Sequence, residues 1–126
     1  ISSPQDAKYV LDYTGAAAVM VGRAAQGNPW IFEQINHYLE KGFASKHPPK
    51  IQIVNTICDH IKAIHKHYGE YLGTRIARKH AGWYINVLAD CQEFRSHFFK
   101  LEKPEEQIQG LHDFFGSINI IWNRAA

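Results

Sequence analysis

One short run of strand character, Val19-Met20-Val21, stands alone in this chain and sets the first limit on its fold. It follows a helical segment through a turn at Thr14-Gly15-Ala16, making an α-to-β step, and from Pro29 onward the apolar spacing is helical. A parallel strand needs neighbouring strands and helices on both faces of its sheet. Residues 1–27 therefore read as the last helix and strand of something larger, and residues 28–126 as a helical domain. The expected fold class is all-α, a helical bundle with a short N-terminal remnant of an α/β structure.

The strand is followed by Gly22-Arg23-Ala24-Ala25-Gln26-Gly27-Asn28-Pro29-Trp30. Gly22 has no Cβ, so a ligand can approach the backbone closely, and positive φ is open to it. A helix starting at Arg23 or Ala24 would aim N–H groups at an anion, and Arg23 would add a planar donor fork. Phosphate loops of this kind follow the last strands of (β/α)₈ barrels. An ordinary buried strand and turn accounts for the same residues.

Taken in order, Ser3-Pro4-Gln5-Asp6 spells a helix start, with Ser3 as N-cap and Pro4 at the first position. That helix runs to about Tyr13, with Ala7, Val10 and Leu11 inward and Gly15 past its end. Trp30, Ile31, Ile35, Tyr38 and Leu39 mark a second apolar stripe that ends at Gly42, and residues 43–50 form a linker held extended by Pro48 and Pro49. A helix from about Ile51 to Tyr68 precedes a break bracketed by Gly69 and Gly73, and a further helix covers about Thr74 to Leu88. On that helix Ile76, His80, Trp83, Tyr84 and Val87 form the packing face, and Arg75, Arg78, Lys79 and Gly82 form another. Asp90 with Glu93 spells a capping box for a short helix carrying Phe94, Phe98 and Leu101. Pro104, Glu105 and Glu106 open the last helix, with Ile108, Leu111, Phe115 and Ile118 inward, and the apolar tail Ile120-Ile121-Trp122-Asn123-Arg124 docks on the bundle. The expected core is Trp30, Ile57, Ile61, Ile64, Trp83, Tyr84, Phe94, Phe98, Leu111 and Phe115.

The 126 residues suffice for one domain with its own core, and a start at Ile1 without a leader pattern reads as a fragment or processed piece. No stretch approaches the roughly 18 consecutive apolar residues of a membrane span. Cys58 and Cys91 lie in apolar patterns without metal-knuckle spacing, which suits reduced thiols and a cytoplasmic setting. Among eight histidines, His60, His65 and His67 are close in sequence but do not share one helical face, and no zinc-protease pattern occurs. No metal site and no catalytic residue is assigned. Net charge is only +2, yet Lys62, Lys66, Arg75, Arg78 and Lys79 face the single acid Glu70 between His60 and His80. That window is a candidate polyanion surface, or a solvated face neutralised by acids of other helices.

Ser3-Pro4-Gln5-Asp6-Ala7, Thr14-Gly15-Ala16, the stretch from Val19 to Phe32 and Arg75-Ile76-Ala77-Arg78-Lys79-His80-Ala81-Gly82-Trp83-Tyr84 together resemble the tRNA-dihydrouridine synthases, the bacterial B-type branch most closely. The resemblance covers essentially the whole chain as that family's C-terminal portion and thins after Val87. It implies a parent with an FMN-binding (β/α)₈ barrel and a C-terminal helical domain, which reduces uridine in tRNA to 5,6-dihydrouridine with NAD(P)H. Gly22 and Arg23 fall on the family's FMN phosphate motif, and Arg75, Arg78, Lys79 and His80 on the motif of the tRNA side. The family's catalytic cysteine, flavin-contacting lysine and other phosphate loop belong upstream of Ile1, and neither Cys58 nor Cys91 matches the cysteine's position. The implied partner is tRNA, with no membrane and no protein partner, although an unpaired strand at residues 19–21 offers an edge for self-association. The isolated chain is expected to be inactive. The rival readings are a stand-alone helical RNA-binding module without catalysis and the end of a flavin barrel acting on a small pyrimidine, which would have no need of the cationic helix.

Overall fold

The computed structural model describes residues 1–123, so Arg124 of the expected docking tail lies outside the described residues. The chain divides into two compact units, Ile1–His47 and Pro48–Ala126. Every regular element among the described residues is a helix.

In the first unit α1 spans Pro4–Thr14, and both of its ends are spelled in the sequence. The Asp6 N–H donates to the Ser3 hydroxyl at 3.1 Å, Pro4 occupies the first turn, and the Gly15 N–H donates to the Leu11 carbonyl at 2.9 Å. Gly15 has φ 69°, a left-handed conformation that favours glycine. Helix α2, Ile31–Lys41, ends the same way at Gly42, with φ 84°. The two helices bury Ala7, Ile31 and Ile35 between them, and Trp30 is buried at the start of α2.

The strand expected at Val19-Met20-Val21 does not form. Residues 16–22 carry no regular element, because a strand exists only through ladder bonds to a neighbour and none is present among the described residues. Alternation survives nonetheless: Val19 and Val21 are half-buried against the Ala7, Ile31 and Ile35 cluster, while Met20 points out at 89% exposure. A three-residue 3-10 turn at Arg23–Ala25 follows.

The second unit is built on α3, Lys50–Leu88, which is not one rod. Gly69 interrupts it with φ 84° and ψ 176°, a region essentially reserved for glycine, and the chain turns back on itself. Residues 50–68 and 70–88 form the arms of a hairpin: an added Cβ at Gly73 would come within 2.9 Å of the His65 Cα. The break bracketed by Gly69 and Gly73 is thus made by Gly69 alone, and Gly73 serves as the point where the arms touch. The first arm buries Ile53, Val54, Ile57, Cys58, Ile61 and Ile64. The second arm buries Gly73, Thr74, Ala77, Ala81, Tyr84, Ile85 and Leu88 in addition to Gly82. Its packing face is therefore rotated from the expected one, with Ile76, His80, Trp83 and Val87 only half-buried. Small residues at 73, 77 and 81 allow the arms to approach closely near the turn, and Tyr84, Ile85 and Leu88 continue the buried face toward the end of the arm.

Helix α4, Gln92–Phe98, does not use the expected capping box. Cys91 is its N-cap and no side chain caps it. Asp90 sits at φ 49° and its N–H donates to the Ile85 carbonyl at 2.7 Å, so it terminates α3 instead. Helix α5, Pro104–Ser117, packs along the hairpin and buries Leu111, Phe115 and Gln107. Gln107 is fully buried and pins both arms: its Nε2 donates to the Thr74 carbonyl at 3.0 Å, and its Oε1 lies 2.6 Å from His65 Nε2. Phe98 is fully buried, whereas Phe94 is half-buried and stacks on Phe114 with centroids 3.8 Å apart. The tail returns to the end of α3, the Ile121 N–H donating to the Leu88 carbonyl at 2.9 Å.

Candidate functional site

Gly22 and Arg23 belong to the first unit. Gly22 is exposed, with φ −102°, so positive φ is not what this position requires. A Cβ there would meet no atom within 4 Å, and the Ala25 N–H donates back to the Gly22 carbonyl at 3.1 Å. Arg23 is exposed and opens the short 3-10 turn rather than a full helix, without an ion pair among the described residues.

Arg75, Arg78, Lys79 and His80 all lie on the second arm of α3, where the side chains of 75, 78, 79 and 82 are neighbours one turn apart. The structure gives them different surroundings. Arg75 is exposed, its Nη1 donates to the Tyr71 hydroxyl, and its guanidinium carbon lies 5.3 Å from the Tyr71 ring centroid. Lys79 is exposed, with Nζ 5.2 Å from the Trp83 ring centroid. Arg78 is half-buried and its Nη2 donates to the Leu101 carbonyl at 3.0 Å, which ties the second arm to the chain after α4. None of the three forms an ion pair among the described residues. Arg75 and Arg78 line an open hollow of about 550 Å³ with Glu70, Tyr71, Thr74 and Glu102.

His80 is a different kind of group. Its ring is half-buried edge-on between His60, with centroids 5.1 Å apart, and Trp83, at 5.0 Å. Burial lowers its pKa, and the nearby His60 and Lys79 charges push the same way. Its neutral form is favoured. His60 is lowered too, by burial, and its Nδ1 lies 2.8 Å from the hydroxyl of Tyr84, whose pKa burial raises to about 12. Lys62 and Lys66 are exposed on the first arm.

Among the described residues no three histidine, cysteine or carboxylate groups gather as a metal site. Cys58 is buried and desolvation raises its thiol pKa, so it is a poor nucleophile. No helix among the described residues is long and apolar enough to cross a membrane. Sequence reasoning passed over Arg95, whose Nε lies 3.4 Å from where a Gly82 Cβ would stand. The signal was available only in part, as a basic residue near the end of a short helix.

The geometry is that of a hairpin presenting guanidinium and ammonium groups that form no ion pair among the described residues, with Glu70 and Glu102 in the same hollow, a surface whose free donors suit phosphate oxygens. The family model described as dihydrouridine synthase matches residues 1–119. The chain is 47% identical over 118 residues to a Vibrio vulnificus (strain CMCP6) protein named tRNA-dihydrouridine synthase B, covering 94% of this chain and 37% of that protein. It is 44% identical over 115 residues to the protein of that name from Escherichia coli (strain K12), covering 91% of this chain and 36% of the relative. The chain thus spans little more than a third of the length of these curated relatives. With the match running from the capped N-terminal helix through the cationic hairpin to the end of α5, the chain belongs to the dihydrouridine synthase family.

Proposed function

We propose that this chain is the C-terminal portion of an FMN-dependent tRNA-dihydrouridine synthase of the B type, which reduces uridine in tRNA to 5,6-dihydrouridine with NAD(P)H in the cytoplasm. The observation that carries this is the family match across residues 1–119. In this reading residues 1–27 complete an FMN-binding (β/α)₈ barrel and residues 28–126 form the helical domain, whose Arg75, Arg78 and Lys79 meet the tRNA backbone, with His80 beside them. Three cations on adjacent helical positions, none in an ion pair among the described residues, support that assignment.

Gly22 and Arg23 fit one wall of a phosphate site. The backbone at Gly22 is uncrowded, and Arg23 offers a guanidinium with no ion pair among the described residues. Hydride delivery to the uracil ring is the chemistry a bound reduced flavin supplies. What these two residues contribute is binding and charge neutralisation at the phosphate end. A full barrel takes about 250 residues, so the chain by itself neither holds FMN tightly nor reduces uridine.

The test is nucleoside analysis by mass spectrometry after the full-length polypeptide bearing these residues is incubated with an unmodified tRNA transcript and NADPH. Dihydrouridine is the expected product, and the R75E/K79E pair raises KM for tRNA more than it lowers kcat. Absence of dihydrouridine from every transcript overturns the assignment. For the isolated chain, flavin titration is expected to show no saturable binding, and one-to-one binding at micromolar FMN would contradict the inability of this chain to hold FMN.

A further inference from the structure

Arg95 approaches the cationic face from a different helix. A Cβ at Gly82 would stand 3.3 Å from the Phe99 ring, closer than such contacts ordinarily are, and 3.4 Å from Arg95 Nε, at the edge of van der Waals contact. Gly82 is therefore the seat on which the end of α4 rests. The Arg95 guanidinium lies over the Phe99 ring, 4.5 Å from its centroid, so its plane is held between an aromatic face and the backbone of the second arm. Its Nε is buried without a hydrogen-bond partner. Its two terminal nitrogens are not among the buried orphan atoms, and no hydrogen bond or ion pair to them is present among the described residues, so they reach solvent. Gly82 follows Arg78 by one helical turn, so the Gly82 position that Arg95 Nε touches lies about 6 Å further along the helix surface that carries Arg75 and Arg78. Arg78 is itself held from the same side through Leu101.

We propose that Arg95 is a further phosphate-binding residue of this surface, and that Gly82 is the positioning residue that brings it there. The inference rests on the reading that this face meets the tRNA backbone, and it adds a contact from α4 that Arg75, Arg78 and Lys79 do not supply. A guanidinium already stacked and seated loses little conformational freedom on binding, which makes it a better phosphate ligand than a freely rotating lysine. The buried Nε fixes which edge is offered: the two outward N–H groups form a fork for one phosphate.

The experiment is equilibrium binding of an unmodified tRNA transcript to the full-length polypeptide across a salt series. R95Q is expected to weaken binding about tenfold at low salt and to reduce the slope of log K against log salt by about 1. R95K, which keeps the charge, recovers the slope but only part of the affinity. G82A, which displaces Arg95 and Phe99, weakens binding in the same direction, and the G82A/R95Q pair is no weaker than R95Q alone. A wild-type slope in R95Q, with R75E and K79E impaired, overturns the role of Arg95 and leaves the RNA face standing. Wild-type binding in all three overturns the RNA face and this inference with it. Additive losses for G82A and R95Q overturn the seat.

Discussion

His60 Nδ1 lies 2.8 Å from the Tyr84 hydroxyl although 24 residues separate them in the chain. In an unbroken helix that separation would be about 36 Å, so the contact is a direct consequence of the reversal at Gly69. The O–H donates to Nδ1, or Nδ1–H donates to the phenol oxygen, according to the imidazole tautomer. Either arrangement serves a neutral ring.

Stability should therefore depend on pH in a definite direction. Burial lowers both His60 and His80 below the ordinary value of 6.5. Below that value the unfolded chain takes up protons that the folded chain refuses, so unfolding free energy rises with pH across the window. The contribution is complete above about pH 6.5 and is lost as the pH falls toward the folded values. Thermal melting is expected to show Tm falling from about pH 7.5 to about pH 5, with a shallower dependence in H60Q and H80Q. Unchanged profiles in both variants would refute it.

Two glycines should respond differently to substitution. At Gly69 the cost is conformational, since nothing lies within 4 Å of an added Cβ, and Ala and Ser should each cost about 1–3 kcal/mol by urea denaturation. At Gly73 the cost is steric, because the Cβ meets the backbone of His65, and it should grow from Ala to Val. Equal tolerance of Ala and Val at Gly73 would show that the arms are not in contact there.

Gln107 is the polar anchor of an apolar helix face. Replacing it with Leu leaves the Thr74 carbonyl and the His65 ring without their partner, an expected loss of about 1–3 kcal/mol. Replacement by Glu keeps the size but removes the donor to Thr74, and is expected to cost at least as much. Chemical denaturation of Q107L and Q107E measures both, and a stabilised Q107L would mean the bonds contribute nothing net.

The ends of the helices were legible because they are written in single residues. Ser3, Pro4, Gly15, Gly42 and Pro104 each act within one turn and need no distant partner. What depended on distant residues was not. Val19-Met20-Val21 keeps its alternation but has no ladder to join, and Asp90 caps nothing because its left-handed conformation closes α3 first. On residues 74–88 helical spacing finds Tyr84, which is buried, but does not distinguish the neighbouring stripe of Ala77, Ala81, Ile85 and Leu88 that the other arm covers from the half-buried Ile76, His80, Trp83 and Val87. That Arg75, Arg78 and Lys79 are neighbours on one helical arm could be read from spacing alone. The nearness of Arg95 to Gly82 could not, since it joins residues of two different helices.

The single-residue reversal at Gly69 also sets an order of assembly. His65 and Gly73 close a loop of few residues, whereas the Gln107 bonds to Thr74 and His65 span 33 and 42. Loop-closure entropy grows with the span, so the hairpin is the local event and the docking of α5 the late one. Substitution at Gly69 should slow refolding, and substitution at Gln107 should chiefly speed unfolding, a division that stopped-flow kinetics can read. The arm that carries Arg75, Arg78 and Lys79 would then be shaped before the helix that anchors it at Thr74 arrives.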